Sequence, residues 1–457
     1  MMYQSFERFL SMTASAPATP ATTSLTSRDR ARIVTASTVG TTIEFYDFYV
    51  YATAAVAVFP HLFFPKSENP TVGLLASFAT FGLAFLARPL GSIVFGHFGD
   101  VVGRKATLVF ALLTMGIATF LIGVLPTYQQ VGILAPALLA LMRFCQGLGL
   151  GGEWSGAALL ATETAEEGKR AWAAMWPQLG APFGFLLANG LFLILVTAFD
   201  YTNGDLSNPF MVWGWRIPFL ASAVMVAVGL YVRLRLEETP VFQQAIDRDQ
   251  RVTSPLREVF RTAAGPLFIG TFVMVGCYTL FYLVTTWILS YGISPTGLDF
   301  AYTDFLKLQL VSIFAFIVGV PLSGWLADRV GRRPTLLWVT VAILAFSATF
   351  ELFLQDSTPG SVLAFLTIGM FLMGLIFGPM SAVLPELFPT NVRYTGSGIS
   401  YNAASILGAA IAPFIATALA EKFGVASVGF YLAIVSGVSL LAILAMRETR
   451  ERDMTRI

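Results

Sequence analysis

Apolar residues run through this chain in blocks of twenty or more, divided by short polar links. A block of about 20 apolar residues is the length of helix needed to cross the hydrocarbon core of a bilayer. Twelve such blocks are predicted as helical spans: 31–60, 71–95, 106–126, 131–161, 171–199, 213–235, 265–291, 304–326, 335–354, 361–388, 395–419 and 424–447. Several exceed the minimum, which allows tilt or an interfacial end. The reading is an all-α integral membrane protein with twelve transmembrane helices. Residues 1–30, rich in Ser, Thr, Ala and Pro, read as a disordered tail, and residues 448–457 as a second tail. Residues 236–262 form the longest polar link and divide the spans into two sets of six, 31–235 and 263–447. The first part of that link has the composition of an amphipathic surface helix.

The two sets carry one signature. Gly96–Lys105 reads GHFGDVVGRK, and Gly324–Arg333, at an offset of 228 positions, reads GWLADRVGRR. Gly96, Asp100, Gly103, Arg104 and Lys105 match Gly324, Asp328, Gly331, Arg332 and Arg333 in spacing. An offset of half the chain makes this an internal repeat. Each copy links two spans, where Gly permits a tight turn and Asp can pair with the basic cluster or cap the next helix. A weaker echo pairs Gly147 and Gly151 with Gly374 and Gly378, and Arg170 with Arg393. The spans are therefore expected as two pseudo-symmetric six-helix bundles. Parallel halves of this kind place a substrate site near the bilayer midplane, between the bundles.

Composition agrees. The mean hydropathy is +0.72, 56% of residues are hydrophobic and 12% charged, against about 25% charged in ordinary soluble chains. The net charge of +1 gives no reason to expect a nucleic-acid partner. Its distribution is more informative. With the N-terminus inside, 22 of the 28 Lys and Arg lie on cytoplasmic segments, Lys66, Arg216, Lys307 and Lys422 lie outside, and Arg88 and Arg143 lie within spans. That asymmetry predicts a multi-pass plasma-membrane protein with both termini cytoplasmic. Cys145 and Cys277 fall in different halves, inside spans, and suggest no disulfide framework.

Further stretches narrow the reading: IEFYDFYVY at 43–51, FLARPLG at 85–91, RFCQGLGLGGE at 143–153, WGWRIP at 213–218 and PELFPTNVRYTG at 385–396. With the doubled signature they resemble the major facilitator superfamily and, within it, the metabolite:proton symporter family, whose members carry organic acids or osmolytes. The likeness runs from about Thr35 to about Arg450. It implies the major facilitator fold, a bacterial inner-membrane location, a monomer, a small-molecule substrate moved with protons, and no cofactor. It also implies that each signature loop, with Arg393, latches and releases the cytoplasmic helix ends during alternating access.

The chemistry is sought in the charges within spans, which are costly and default to function. Glu44 and Asp47 in span 1, Arg88 in span 2, and Arg143 and Glu153 in span 4 all belong to the first half. Glu44, Asp47 and Tyr51 follow helix spacing along one face. Desolvation strengthens a carboxylate's hold on its proton and a neighbouring Arg weakens it. Asp47, Glu44, Glu153 and Arg143 are thus the candidates for proton coupling, and Arg88 for a substrate carboxylate. Static ion pairs that fix helix packing are the competing reading. Tyr46, Tyr49, Gln178, Tyr278, Tyr282 and Asn402 are polar-tipped residues within spans and the candidates for substrate contact; the resemblance suggests that some of them, notably Gln178, Tyr278, Tyr282 and Asn402, line the cavity. Aromatic faces with amide donors suit a small polar organic molecule.

Other matches fail their context. Gly147–Gly152 satisfies a dinucleotide-binding pattern but lies inside an apolar span, where small residues serve close helix packing. No P-loop precedes Lys169. His61 and His97 are too few and too far apart for a metal centre. Tyr46-Asp47 with Gly99-Asp100 offers a faint intramembrane aspartyl protease pattern, but His97 stands where that motif needs Gly. The leading reading is a proton-coupled secondary transporter of an organic acid. The alternatives are a zwitterionic osmolyte carrier or an efflux pump of the same fold, and remotely the protease.

Overall fold

A computed structural model describes residues 27–451 except 68, 103, 152–153, 155–157, 160, 163–164, 167, 235–254, 356–357 and 390–391. Side chains at 27–30, 32–33, 96–102, 104–108, 233–234 and 255–257 also lie outside the description. Residues 1–26, 452–457 and most of the 236–262 link are therefore outside it as well.

Among the described residues all regular structure is helical, and twelve long helical segments follow the predicted spans. They are α1 (Ser27–Ala57), α2 (Pro70–Val102), α3 (Arg104–Ile122), α4 (Leu134–Leu150), α5 (Arg170–Ala198), α6 (Ile217–Leu234), α7 (Ala264–Ile293), α8 (Tyr302–Val330), α9 (Arg332–Ser347), α10 (Pro359–Glu386), α11 (Arg393–Phe423) and α12 (Val425–Ala445). Eight of them are long and apolar enough to cross a membrane by length and composition alone. The α1 segment is not among these eight; it bears Glu44 and Asp47. Both α7 and α11 contain a wide turn, at Leu283–Trp287 and Ile406–Ala410, each next to the predicted polar positions. Wide turns of this type often mark functional sites.

The half-repeat of the sequence is a repeat of packing. In the first bundle α1 packs on α5 and α6, α2 on α4, and α3 on α4 and α6; in the second α7 packs on α11 and α12, α8 on α10, and α9 on α10 and α12. Small residues allow the closest of these approaches. A Cβ on Gly147 would strike the Ala84 backbone of α2, and one on Gly151 the backbone at Arg88. In the second bundle a Cβ on Gly374 would stand 2.6 Å from the Phe316 carbonyl and one on Gly378 2.7 Å from that of Val320, both on α8. The run that mimics a nucleotide motif is thus a helix-packing surface.

The bundles meet along α1 with α7, α2 with α11, α5 with α8, and α5 with α10. Polar contacts join them at both ends. At the end where α8 turns into α9, here called the basic end, Asp328 accepts from the backbone N–H of Ala171 (3.0 Å) and Trp172 (2.8 Å) at the start of α5. Ser381 donates to the Ala174 carbonyl (2.5 Å) there, and Trp154 stacks on Tyr401 at 3.8 Å. At the opposite end Asn203 donates to Phe300 O (3.0 Å) and accepts from Tyr302 N–H (2.9 Å), while Asn69 donates to Glu421 (3.0 Å).

Candidate functional site

Between these closures lies a cavity lined by Phe45, Arg88, Tyr278, Phe281, Tyr282, Phe377 and Tyr401, with Cys277, Met274 and Met373. Its volume is about 10 Å3, room for roughly one water, so the bundles must part before a metabolite enters. The wall is aromatic because both bundles supply rings to it: Tyr278 and Tyr282 stack at 6.3 Å, Tyr278 meets Tyr401 at 5.2 Å, and Phe45 meets Phe281 at 6.0 Å.

Arg88 supplies the charge. It is 4% exposed, and its Nη2 lies 3.6 Å from Glu44 Oε1, longer than a hydrogen-bonded ion pair. Its Nε has no hydrogen-bond partner among the described residues. The guanidinium carbon stands 5.3 Å from the centre of the Phe85 ring and 5.9 Å from that of Tyr401, within cation–π range. A buried donor without an acceptor is costly, and here it borders the cavity.

A second buried polar group lies deeper in the first bundle. Asp47, 1% exposed, accepts from the Thr119 hydroxyl at 3.1 Å, while its Oδ1 has no hydrogen-bond partner among the described residues. Gln146 donates to Thr119 (2.7 Å) and accepts from Arg143 (3.0 Å). Arg143 is fully buried, and its guanidinium is held by the rings of Tyr51 (4.1 Å), Phe48 (4.7 Å) and Phe81 (4.9 Å). Glu44 and Asp47 were expected as one cluster but face different partners. Three residues turn a helix by about 300°, which separates their directions by roughly 60°. Glu153 lies outside the described residues.

The aromatic and amide candidates divide. Tyr278 and Tyr282 line the cavity, and Tyr49 packs behind it on Phe185 (4.9 Å) and Phe281 (5.9 Å). Tyr46 turns to α6, where its hydroxyl donates to the Pro218 carbonyl at 2.8 Å. Gln178 donates to Phe377 O (3.0 Å), and Asn402 to Ser92 (3.0 Å). These three are placed by the need of a buried donor for an acceptor, and they join helices instead of lining the cavity. Phe45, Phe281, Phe377 and Tyr401 were not singled out from the sequence. An aromatic in a span has the same hydropathy whether it meets lipid or a cavity, so the only signal was Tyr401 beside Asn402.

At the basic end the second signature becomes a relay. Arg332, 1% exposed, donates through Nε and Nη2 to both oxygens of Glu386 (3.1 and 3.0 Å) and through Nη1 to Asp328 (3.0 Å). Glu386 also accepts from Thr449 (2.7 Å) and lies 4.0 Å from Arg170. Arg333 donates to the last carbonyls of α12, Ile443 (3.2 Å) and Leu444 (2.7 Å), where a cation suits the helix dipole. Gly331 sits at φ +119°, a conformation that favours glycine, and a Cβ there would meet Glu448. Partial burial disfavours the charge on Glu448, but the backbone N–H groups of Arg332, Arg450, Arg333 and Thr449 outweigh it and hold this carboxyl below its ordinary range. Arg393 is buried at the start of α11. Of the first signature, Gly103 lies outside the described residues, as do the side-chain positions of Gly96, Asp100, Arg104 and Lys105.

Comparison with known proteins accounts for this architecture. The family described as Major Facilitator Superfamily matches residues 38–406. The inner membrane metabolite transport protein YhjE of Escherichia coli K12 is 51% identical over 428 residues, 93% of this chain and 96% of that protein. The shikimate transporter of E. coli K12 is 36% identical over 92% of this chain and 95% of that protein, and its proline/betaine transporter 32% identical over 93% and 84%. Among solved structures, the proton:xylose symporter XylE bound to 6-bromo-6-deoxy-D-glucose superposes with a TM-score of 0.68 at 18% identity, covering 92% of this chain and 96% of that one. That likeness speaks for the fold alone. With its doubled bundle and its full-length relatives, the chain belongs to the major facilitator superfamily and is an integral membrane metabolite transporter, not an enzyme.

Proposed function

We propose that this transporter is a symporter that moves a small carboxylate together with protons by alternating access. The observation that carries this reading is Arg88: a buried guanidinium at the cavity wall, whose Nε has no hydrogen-bond partner among the described residues and whose contact to Glu44 is 3.6 Å. A substrate carboxylate fits that fork bidentately, and the hydroxyls of Tyr278, Tyr282 and Tyr401 suit further polar groups on the same molecule. The relative named a shikimate transporter supports an acid. In this reading the protein works as a monomer in a bacterial inner membrane with both termini cytoplasmic, so the basic end faces the cytoplasm. The bundles 31–235 and 263–447 rock about the cavity, with 236–262 as the joint. The signature residues Gly324, Asp328, Gly331, Arg332 and Arg333, with Arg393 and the first copy, Gly96, Asp100, Gly103, Arg104 and Lys105, govern the closure.

A zwitterionic substrate is the second reading. An ion pair that is already stretched, Arg88 with Glu44, could be split between a carboxylate and an ammonium, and aromatic faces suit quaternary ammonium groups. The relative named a proline/betaine transporter points that way. Uptake of labelled hydroxy acids and betaines into proteoliposomes, with and without a pH gradient, decides between them. Accumulation of the acids alone, and only with the inside alkaline, supports the first reading. Accumulation of betaines alone supports the second.

The proton is assigned to Asp47, with Glu44 and Glu153 as further candidates and Arg143 as the modulating cation. Asp47 Oδ1, without a hydrogen-bond partner among the described residues, offers a place for the proton, and Arg143 is connected to Asp47 Oδ2 through Gln146 and Thr119. Asp47→Asn is expected to abolish accumulation against a gradient while substrate exchange across the membrane persists, because exchange needs no net proton movement. Retained accumulation in this variant moves the coupling site elsewhere.

A further inference from the structure

Two neutral side chains separate Asp47 from Arg143, and their hydrogen-bond directions can be deduced. Arg143 has donors only, so the Gln146 atom it meets at 3.0 Å is the amide oxygen. The amide nitrogen of Gln146 must then point the other way, and it donates to Thr119 Oγ1 at 2.7 Å. Thr119 has one hydrogen of its own and two acceptors within reach: Asp47 Oδ2 at 3.1 Å and the Met115 carbonyl at 3.0 Å. Thr119 and Gln146 are themselves buried, at 0% and 1% exposure.

This arrangement serves both protonation states without moving a heavy atom. An ionised Asp47 is the stronger acceptor and takes the Thr119 hydrogen. A protonated Asp47 becomes a donor to Thr119 Oγ1, whose second lone pair remains with Gln146. The hydroxyl then turns its hydrogen to Met115. We propose that Thr119 is a positioning residue that sets the pH at which Asp47 exchanges its proton, and that Gln146 ties this setting to Arg143.

The ionisable groups on the surrounding helices leave Thr119 this role. Tyr46 neighbours Asp47 on α1 but its hydroxyl is committed to Pro218. Residues 109–122 of α3 and 171–198 of α5 contain no ionisable side chain; on α6 Tyr231 is 57% exposed, and the side chain of Arg233 lies outside the described residues. Arg88 of α2 meets Glu44, and Tyr278 and Tyr282 of α7 line the cavity. On α4 the charge is Arg143, which Thr119 reaches through Gln146.

The inference rests on the reading of Asp47 as the proton carrier, and the test separates the two. The pH dependence of uptake into proteoliposomes is measured for wild type, Thr119→Val, Thr119→Ser and Asp47→Asn, with exchange as a check on folding. Thr119→Val removes a hydrogen bond that is stronger to the ionised carboxylate than from the protonated one, so its profile is expected to move to higher pH by about one unit, the difference between a charge-assisted and a neutral bond. Thr119→Ser restores the wild-type midpoint. If the Val variant does not fold, Thr119→Cys, a weaker donor, carries the same expectation at smaller size. A Thr119→Val or Thr119→Cys profile that superposes on wild type, while Asp47→Asn has lost accumulation, overturns the role of Thr119 alone. Full accumulation by Asp47→Asn overturns the role of both.

Discussion

Replacing Arg88 by Ala is expected to weaken substrate binding by roughly a hundredfold or more. Truncating one member of a buried charge pair costs about 2–5 kcal/mol, and each 1.4 kcal/mol is about tenfold in affinity. The expectation follows from the incomplete satisfaction of this guanidinium. Its Nε lacks an acceptor among the described residues, and its contact to Glu44 is 3.6 Å. If Arg88 served only to fix helix packing, burial would have selected closer pairing. Arg88→Lys keeps the charge but loses the fork, and is expected to bind roughly tenfold more weakly. Calorimetry on the purified variants measures both. Unchanged affinity in a folded Arg88→Ala protein assigns the side chain to Glu44 and takes the carboxylate reading with it. Glu44→Gln separates the two substrate classes: an acid is expected to bind as well or better once the competing carboxylate is neutral, a zwitterion worse.

Much of this molecule was legible because a membrane imposes coarse rules. Twelve spans follow from twelve apolar runs, and the paired bundles from the repeat of Gly96–Lys105 in Gly324–Arg333. The glycines at 147, 151, 374 and 378 could be read as packing positions because small residues are what close helix approach requires. The interior of each span was less legible. The wide turns at 283–287 and 406–410 leave no mark on hydropathy. Gln178 and Asn402 look like cavity residues in sequence, yet bond to Phe377 O and Ser92 across the bundle boundary. Thr119 carries no charge and hides in an apolar run. Glu386 stood in a quoted motif without a role, because its partner Arg332 lies 54 positions away and only the fold brings them together.

Glu386→Ala is expected to destabilise the protein by about 3–5 kcal/mol, the cost of stranding one member of a buried ion pair. Glu386 is fully buried and accepts two bonds from Arg332 and one from Thr449. Without it, among the described residues Arg332 keeps its Nη1 bonds to Asp328 and the Ala327 carbonyl (3.0 Å each) and loses those of Nε and Nη2. Thermal unfolding of the detergent-purified protein measures the loss. The double variant Glu386→Leu with Arg332→Met replaces the pair by apolar side chains of similar size, and is expected to recover most of the stability. Its transport is not expected to recover. Asp328 joins Arg332 to the first N–H groups of α5 in the other bundle, so the pair orients the carboxylate that closes the basic end. With Arg332 gone, that closure is held less firmly and the population shifts toward opening at this end. Cys277, on the cavity wall, reports the shift. In a Cys145→Ala background the double variant is expected to react faster with a thiol reagent applied from the basic side. Asp328→Asn is expected to match it there, because an amide caps the α5 N-terminus without the charge that the helix dipole favours. A double variant that recovers both stability and wild-type transport would show that the buried pair serves packing alone.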